Sequence, residues 1–472
     1  MKHQFKKIFL TLALAGGMMN TFAGSNEDLL EACKKGDLAK AKAAIDAGAN
    51  VNFVAADGVW TPLGASFFWP EITKLLLEKK ADPNGGNSMA MSCAAATGSI
   101  DVIKLLLAAG ADANKPYVID IVPALEKALN NATNKATKKY LEEQIEKAKA
   151  AGGTKLYPAE RVVKSTLCTE CLQVLIDKGA KTTMMIDPVG QTNLLHEYAV
   201  IGLPPADWIK NNQAQVGGWE KSGFTVPDWF SKPDVTKLGT PDAMIKILVK
   251  SGVDINAPNK VNDTPLHNSL KRKLAASSEV VIAFINNGAD VNAEGSFRNG
   301  HVLLQAAGLG MVDALEVMIA KGADMNREFK VDDQEVHQTL KGITPLMWAA
   351  RNGQLEATKF LVSKGARLNE KAHGTSFNFK VGCTTSVQNK TAIYYAIEGE
   401  NLEVVKYLVE NTDGNWKEKF IIDPWKQKIS NTVGSVTTTH TWCMDDKVYS
   451  PSEYAKALEL KEIADYLKSK KL

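Results

Sequence analysis

Cys168-Thr-Glu-Cys171 is the tightest pairing of reactive side chains in this sequence. Two cysteines at that spacing could supply half a zinc site, exchange thiols with a partner, or close a local disulfide. Zinc would need a second ligand pair, and none stands at metal-binding spacing. The motif precedes LQVLIDKGA and so opens a helix, whose N-terminus lowers a thiol's pKa and favours exchange. No βαβ pattern surrounds it, so a structural disulfide in an oxidising compartment is the expectation and a redox role the alternative. His196 and His267 invite a metal or acid–base reading, whereas His301, His337 and His440 fall in or near loops with no second ligand at useful spacing. Asp332-Asp333 and Asp445-Asp446 are single acidic pairs, expected to be solvated. No GxSxG, HExxH, Walker-type loop or dinucleotide fingerprint occurs. The chain is therefore expected to be no enzyme and to hold no metal and no cofactor.

The recognition chemistry is more conspicuous. Six of the nine tryptophans fall in two stretches: Trp208, Trp219 and Trp229 within 203–238, and Trp416, Trp425 and Trp442 within 412–448. Tryptophan is the residue most enriched at binding hot spots. Together with Phe230, these six are expected to contact a partner, with the last three forming one patch and the first three a second. Trp348 is excluded, because Ala349-Ala350 beside it places it on a packed helix.

The elements that would position these groups come from self-similarity. One phrase recurs: DAGANVN near Gly48, AAGADAN near Gly110, KSGVDIN near Gly252, NNGADVN near Gly288, AKGADMN near Gly322 and SKGARLN near Gly365. Gly288 and Gly322 are 34 residues apart. Each phrase follows an amphipathic helix such as IDVIKLLLAAG. A second phrase lies upstream: TPLG at Thr61, TPLH at Thr264, TPLM at Thr344, with weaker forms at Asn193 and Thr391. Thr is a good N-cap, and Pro at the first helical position forfeits no hydrogen bond.

This pattern resembles the ankyrin repeat family, two helices and then a turn or β-hairpin finger. The resemblance implies an all-α ankyrin-repeat solenoid of about ten helix-turn-helix units, with β-hairpin fingers and long insertions. The units start near residues 26, 61, 88, 120, 193, 264, 300, 344, 391 and 450. It also implies that His196 and His267 tie neighbouring turns together by hydrogen bonds rather than bind metal.

Departures from the period mark the elaborated places. Gly110 to Gly179 is 69 residues and Gly179 to Gly252 is 73, about twice one unit. Each interval should hold one repeat with an insertion between its two helices, at 132–158 (charged, helix-forming) and 203–238 (rich in Pro, Gly and aromatics). Extra residues at 327–341, 370–388 and 412–448 read as extended β-hairpins on the finger side. Cys383 and Cys443 sit at nearly equivalent points of adjacent fingers, so a disulfide between them is expected. Cys33 and Cys93, on the inner helices of the first and third units, should remain unpaired and buried.

Composition narrows the setting. The body is electrically neutral: the +3 net charge equals the contribution of Lys2, Lys6 and Lys7. Nothing in it favours nucleic acid or an anionic membrane. The basic MKHQFKK, the apolar run from Ile8 to Gly17 and the small residues before Gly24 read as a signal peptide over 1–23, followed by a solenoid over 24–472. The expected function is binding of a protein partner, as a monomer with no membrane span, in the periplasm or secreted. The alternatives are an exported effector or toxin-neutralising protein, or a redox factor using Cys168 and Cys171.

Overall fold

A computed structural model describes residues 25–186, 190–271, 277–296, 300–333, 338–378, 383–423, 429–433, 436–440 and 447–472. The signal-peptide reading over 1–23 lies outside them. Two compact units are present, one of Ser25–Ile186 with Asn193–Asp254, the other of Ile255–Leu472 with Gly190–Thr192.

In the N-terminal unit, helices come as inner and outer partners. They are α1 (Ser25–Lys35) with α2 (Leu38–Asp46), α3 (Pro62–Ala65) with α4 (Pro70–Glu78), and α5 (Gly85–Thr97) with α6 (Ile100–Ala108). Thr61 caps α3 as its sequence predicts, its Oγ1 accepting from Gly64 N at 2.9 Å with Pro62 at the first position. Strand β1 (Tyr117–Ile119), α7 (Val122–Asn131), α8 (Lys135–Ala151) and β2 (Thr154–Leu156) follow. Then come α9 (Pro158–Ser165) with α10 (Thr169–Asp177), and α11 (Leu194–Ile201). After α11, the chain runs through α12 (Pro205–Lys221) and α13 (Asp228–Ser231) before α14 (Pro241–Lys250).

This order corrects the placement of the first insertion. The inner helix of the fourth pair is α9, not a helix starting near residue 120, so the extra residues precede the pair instead of dividing it. Burial decides the matter. No residue of α7 is buried, whereas Pro158, Ala159, Glu160, Val162 and Val163 of α9 all are. Glu160 also accepts from Tyr157 N at 3.3 Å, satisfying the backbone N–H at the start of the helix. The 203–238 stretch does divide its pair, and its longest element is the 17-residue helix α12, which runs through Gly217 and Gly218.

In the C-terminal unit the pairs are α15 (Pro265–Leu270) with α16 (Ser278–Asn286), α17 (Val302–Gly308) with α18 (Val312–Ala320), and α19 (Pro345–Arg351) with α20 (Leu355–Ser363). They continue with α21 (Ala392–Glu398) and α22 (Leu402–Asn411), then α23 (Pro451–Ala457) and α24 (Lys461–Ser469). Between them run β3 (Phe329–Asp333), β4 (Gln338–Ile343), β5 (Ala372–Asn378), β6 (Cys383–Lys390), β7 (Phe420–Asp423) and β10 (Lys447–Tyr449). All six join one antiparallel sheet in the order β10-β7-β6-β5-β4-β3. Strands β8 (Ile429–Val433) and β9 (Val436–His440) pair separately. Adjacent hairpins thus hydrogen-bond to each other, Leu340 opposite Gly374 and Val387 opposite Ile422. Gly374 has φ of 139°, and a Cβ there would lie 2.0 Å from Thr339 O, so only glycine admits this approach.

The asparagine of the recurring phrase, and Asn84 at the same place in Lys80-Ala-Asp-Pro-Asn84 where Lys80 replaces the glycine, links one repeat to the next. Asn84 Nδ2 donates to Gly110 O (3.1 Å), and its Oδ1 accepts from Asp112 N (2.8 Å). Asn256 does the same with Gly288 O (3.1 Å) and Asp290 N (2.8 Å). The loops carry many backbone groups outside helices and strands, and this ladder satisfies one carbonyl and one N–H of them at each step.

Candidate protein-binding surface

The 203–238 insertion folds back along the N-terminal unit. Trp208, buried, donates its Nε1 hydrogen to Ser165 O of α9 at 3.2 Å. Asn212, fully buried, holds the insertion's own turn through Phe230 O at 2.6 Å. Further along, Trp219 lies 4.9 Å from Phe67 and 5.4 Å from Phe224, centroid to centroid, and Phe224 lies 4.9 Å from Trp60. Phe230 and Trp229 stand 5.3 and 5.9 Å from Phe68. Lys34 Nζ of α1 caps the cluster, 5.7 Å from the Phe224 ring, and Thr225 N donates to Lys34 O at 3.1 Å.

The three tryptophans of this stretch are therefore not one exposed patch. Trp208 and Phe230 are buried where the insertion meets α9 and Phe68, Trp219 is half-buried among aromatics of the second pair, and Trp229 alone of the three tryptophans is open, at 44% exposure. On the last finger, Trp416 is likewise buried, its Nε1 donating to Leu408 O at 2.9 Å. Trp425 and Trp442 lie outside the described residues. So does Cys443, and with it the expected pairing to Cys383, whose backbone starts β6 opposite Asn378.

Cys168 and Cys171 are joined as a disulfide at the N-terminus of α10, with Cα atoms 5.2 Å apart. Cys168 is the N-cap and half-buried; Cys171 is fully buried and donates its N–H to Cys168 Sγ at 3.1 Å. Cys33 and Cys93 are free and buried, and burial pushes each thiol up to about 12. His196 and His267 act at helix starts: the backbone N–H groups of Asn193 and Thr264 donate to their Nδ1 atoms, at 3.3 and 3.2 Å. Among the described residues no three His, Cys, Asp or Glu side chains gather as a metal site would require. Nor is any described helix long and apolar enough to cross a membrane.

The inner helices of the C-terminal unit carry a row that begins with Trp348, which the sequence reading set aside as a packing residue and which the structure leaves half-buried. Trp348, Tyr395 and Tyr454 each stand four residues after a cap, at Thr344, Thr391 and Ser450. That offset was the available signal. Trp348 is half-buried and stacked by the Arg351 guanidinium, 5.2 Å from the ring. Lys390, fully buried, lies 4.5 Å from the Tyr395 ring and forms an ion pair with Glu398, which also accepts from Tyr454 Oη at 2.6 Å. Burial alone would raise the Glu398 carboxyl; Lys390 and Arg351 hold it below the usual range instead. Burial pulls the Lys390 ammonium down despite Glu398.

The family model described as Ankyrin repeats (3 copies) matches residues 29–117 and 303–419. These stretches are ankyrin repeats, and the helix-rich fold is of that kind. The Ankyrin repeat and KH domain-containing protein mask-1 of Caenorhabditis elegans is 26% identical over 201 residues, 37% of this chain. The match spans only 7% of that protein. The crystal structure of the human ASB11 ankyrin repeat domain covers 63% of this chain and 98% of its own, at 17% identity and a TM-score of 0.37. Ankyrin repeat proteins generally mediate protein–protein binding and are typically non-enzymatic scaffolds.

Proposed function

We propose that this chain is a protein-binding ankyrin array of ten repeats that acts as a monomer outside the cytoplasm. Its partner contacts the inner-helix face and finger tips, with Trp229 as the open aromatic of the 203–238 insertion. The observation that carries the reading is Trp348 with Arg351: a half-buried indole and a guanidinium stacked on an inner helix, two residue types enriched at binding hot spots. The buried Lys390–Glu398–Tyr454 group beside it fixes that face. The finger around Trp425 and Trp442 remains part of the proposed surface.

The test is crosslinking in the native envelope followed by capture with single Trp348→Ala and Trp229→Ala variants, folding being checked by thermal melting. Lost capture at an unchanged melting temperature supports the reading; unchanged capture by both overturns this choice of surface. N-terminal sequencing of extracytoplasmic protein tests export, with Gly24 as the expected first residue and an intact Met1 as the contrary result. An exported effector would share this surface and differ only in where its partner resides.

A further inference from the structure

Both ends of the 203–238 insertion are held by the same short turn. Near its start, Trp208 donates to Ser165 O; just past its end, Gly239 N donates to Leu167 O at 2.8 Å. Those carbonyls lie on either side of Thr166, in the turn that leads directly into Cys168. The contact at Gly239 is close enough that a Cβ would lie 2.5 Å from Leu167 O and 2.5 Å from Thr169 Cγ2. The turn is pinned from its other side by the Cys168–Cys171 bond and by Cys168 N donating to Thr166 Oγ1 at 2.9 Å. Between its two anchored ends the insertion reaches back to Lys34, Trp60, Phe67 and Phe68.

We propose that the insertion is a redox-sensitive strap, clasped over the first and second helix pairs by the Cys168–Cys171 disulfide and loosened by a dithiol reductant. Cys168 is the half-buried member of the pair and Cys171 the enclosed one, so attack is directed at Cys168. A thiolate of the dithiol attacks Cys168 Sγ; the Sγ–Sγ bond breaks, and Cys171 Sγ leaves with the electron pair and takes a proton from solvent. The second thiol of the reductant then attacks the mixed disulfide and becomes bonded to the first. Cys168 is released as a thiolate, steadied by the Cys171 N–H and the helix terminus. Two electrons pass to the chain, two protons are taken up as both sulfurs become thiols, and the dithiol becomes a disulfide. The freed turn no longer fixes the Ser165 and Leu167 carbonyls, so both anchors weaken together. The aromatic shelf of Trp60, Phe67 and Phe68 opens, while the paired helices beneath keep their own core. This inference is independent of which partner the array binds.

The experiment is amide hydrogen exchange on the full chain, oxidised and after dithiothreitol, with Cys168→Ser/Cys171→Ser and Gly239→Ala as variants. Reduction is expected to speed exchange in Pro205–Lys221 and in Trp60–Phe68 by roughly tenfold or more, with Val312–Ala320 unchanged as the reference. The double serine variant should show the fast pattern without reductant and no further change with it. Gly239→Ala should show it in the oxidised state, because it displaces one anchor and leaves the disulfide alone. Equal exchange in oxidised and reduced protein overturns the proposal. So does loss of protection throughout the N-terminal unit, which would make the disulfide a general staple and not a clasp.

Discussion

Asn114 Nδ2 donates to Gly179 O at 2.9 Å across a sequence separation of 65 residues. Its Oδ1 accepts from Lys181 N at 2.7 Å. The array thus passes from the third pair to the fourth in the same register as elsewhere, with β1, α7, α8 and β2 set aside. Replacing Asn114 with Ala removes both bonds and leaves two loop groups to find water. The expected loss is about 1–2 kcal/mol, seen as a lower urea midpoint at unchanged slope. An unchanged midpoint would mean that solvent replaces the ladder without cost.

The aromatic side chains of the insertions should separate by burial. Trp208→Ala and Trp416→Ala each remove a buried ring and strand a carbonyl acceptor, so losses of about 3–5 kcal/mol are expected. Trp229→Ala, at an open ring, should cost less than about 1 kcal/mol. Comparable losses at all three positions in thermal melts would contradict the observed packing.

Lys390 and Glu398 predict an asymmetry between breaking a buried pair and replacing it. Lys390→Ala leaves Glu398 without its main counter-ion, at a cost of about 3–5 kcal/mol. Lys390→Met with Glu398→Gln removes both charges, keeps an acceptor for Tyr454 Oη, and should recover most of that loss. A double variant no better than the single one would show that the charges themselves, not their balance, hold the inner row.

His301 supplies a pH dependence. Burial, with Arg327 nearby adding repulsion, lowers its pKa from 6.5 to about 4. Because the folded value is depressed, the unfolded chain takes up the proton first as pH falls. Stability is intact above pH 6.5 and is lost progressively down to about pH 4, by roughly 3 kcal/mol. His267, also lowered by burial, acts in the same direction. His301→Asn should flatten the wild-type decline in urea melts at pH 7, 5.5 and 4.5; parallel declines in the two proteins would remove His301 from the account.

The repeats were legible wherever capping chemistry is written locally. Thr61, Thr264 and Thr344, each followed by Pro and Leu, mark inner helices that the structure places there. The fourth pair was misplaced because Val122-Pro123 and Tyr157-Pro158 offer the same local signal of proline in a first turn. Only burial separates them, and burial belongs to the assembled stack. The fate of Trp208 and Trp219 was hidden for a related reason. Tryptophan content in a long insertion suits a core as well as a partner, and the deciding contacts, Ser165 and Phe67, lie one and three repeats away. Asparagine at the end of each recurring phrase was visible as a repeat but not as a fastener, since its acceptors lie in the following unit.

The sheet that joins β3 to β10 changes how the C-terminal unit responds to load. Helix pairs stacked only on their neighbours form a spring, whose curvature alters when its ends are pulled. Six strands hydrogen-bonded edge to edge form a plate along one side of that spring. Bending would require the strands to slide or part, starting at contacts as close as Gly374 against Thr339. Compliance is therefore concentrated away from the finger side between α18 and α23, and a partner grasping that side meets a rigid template.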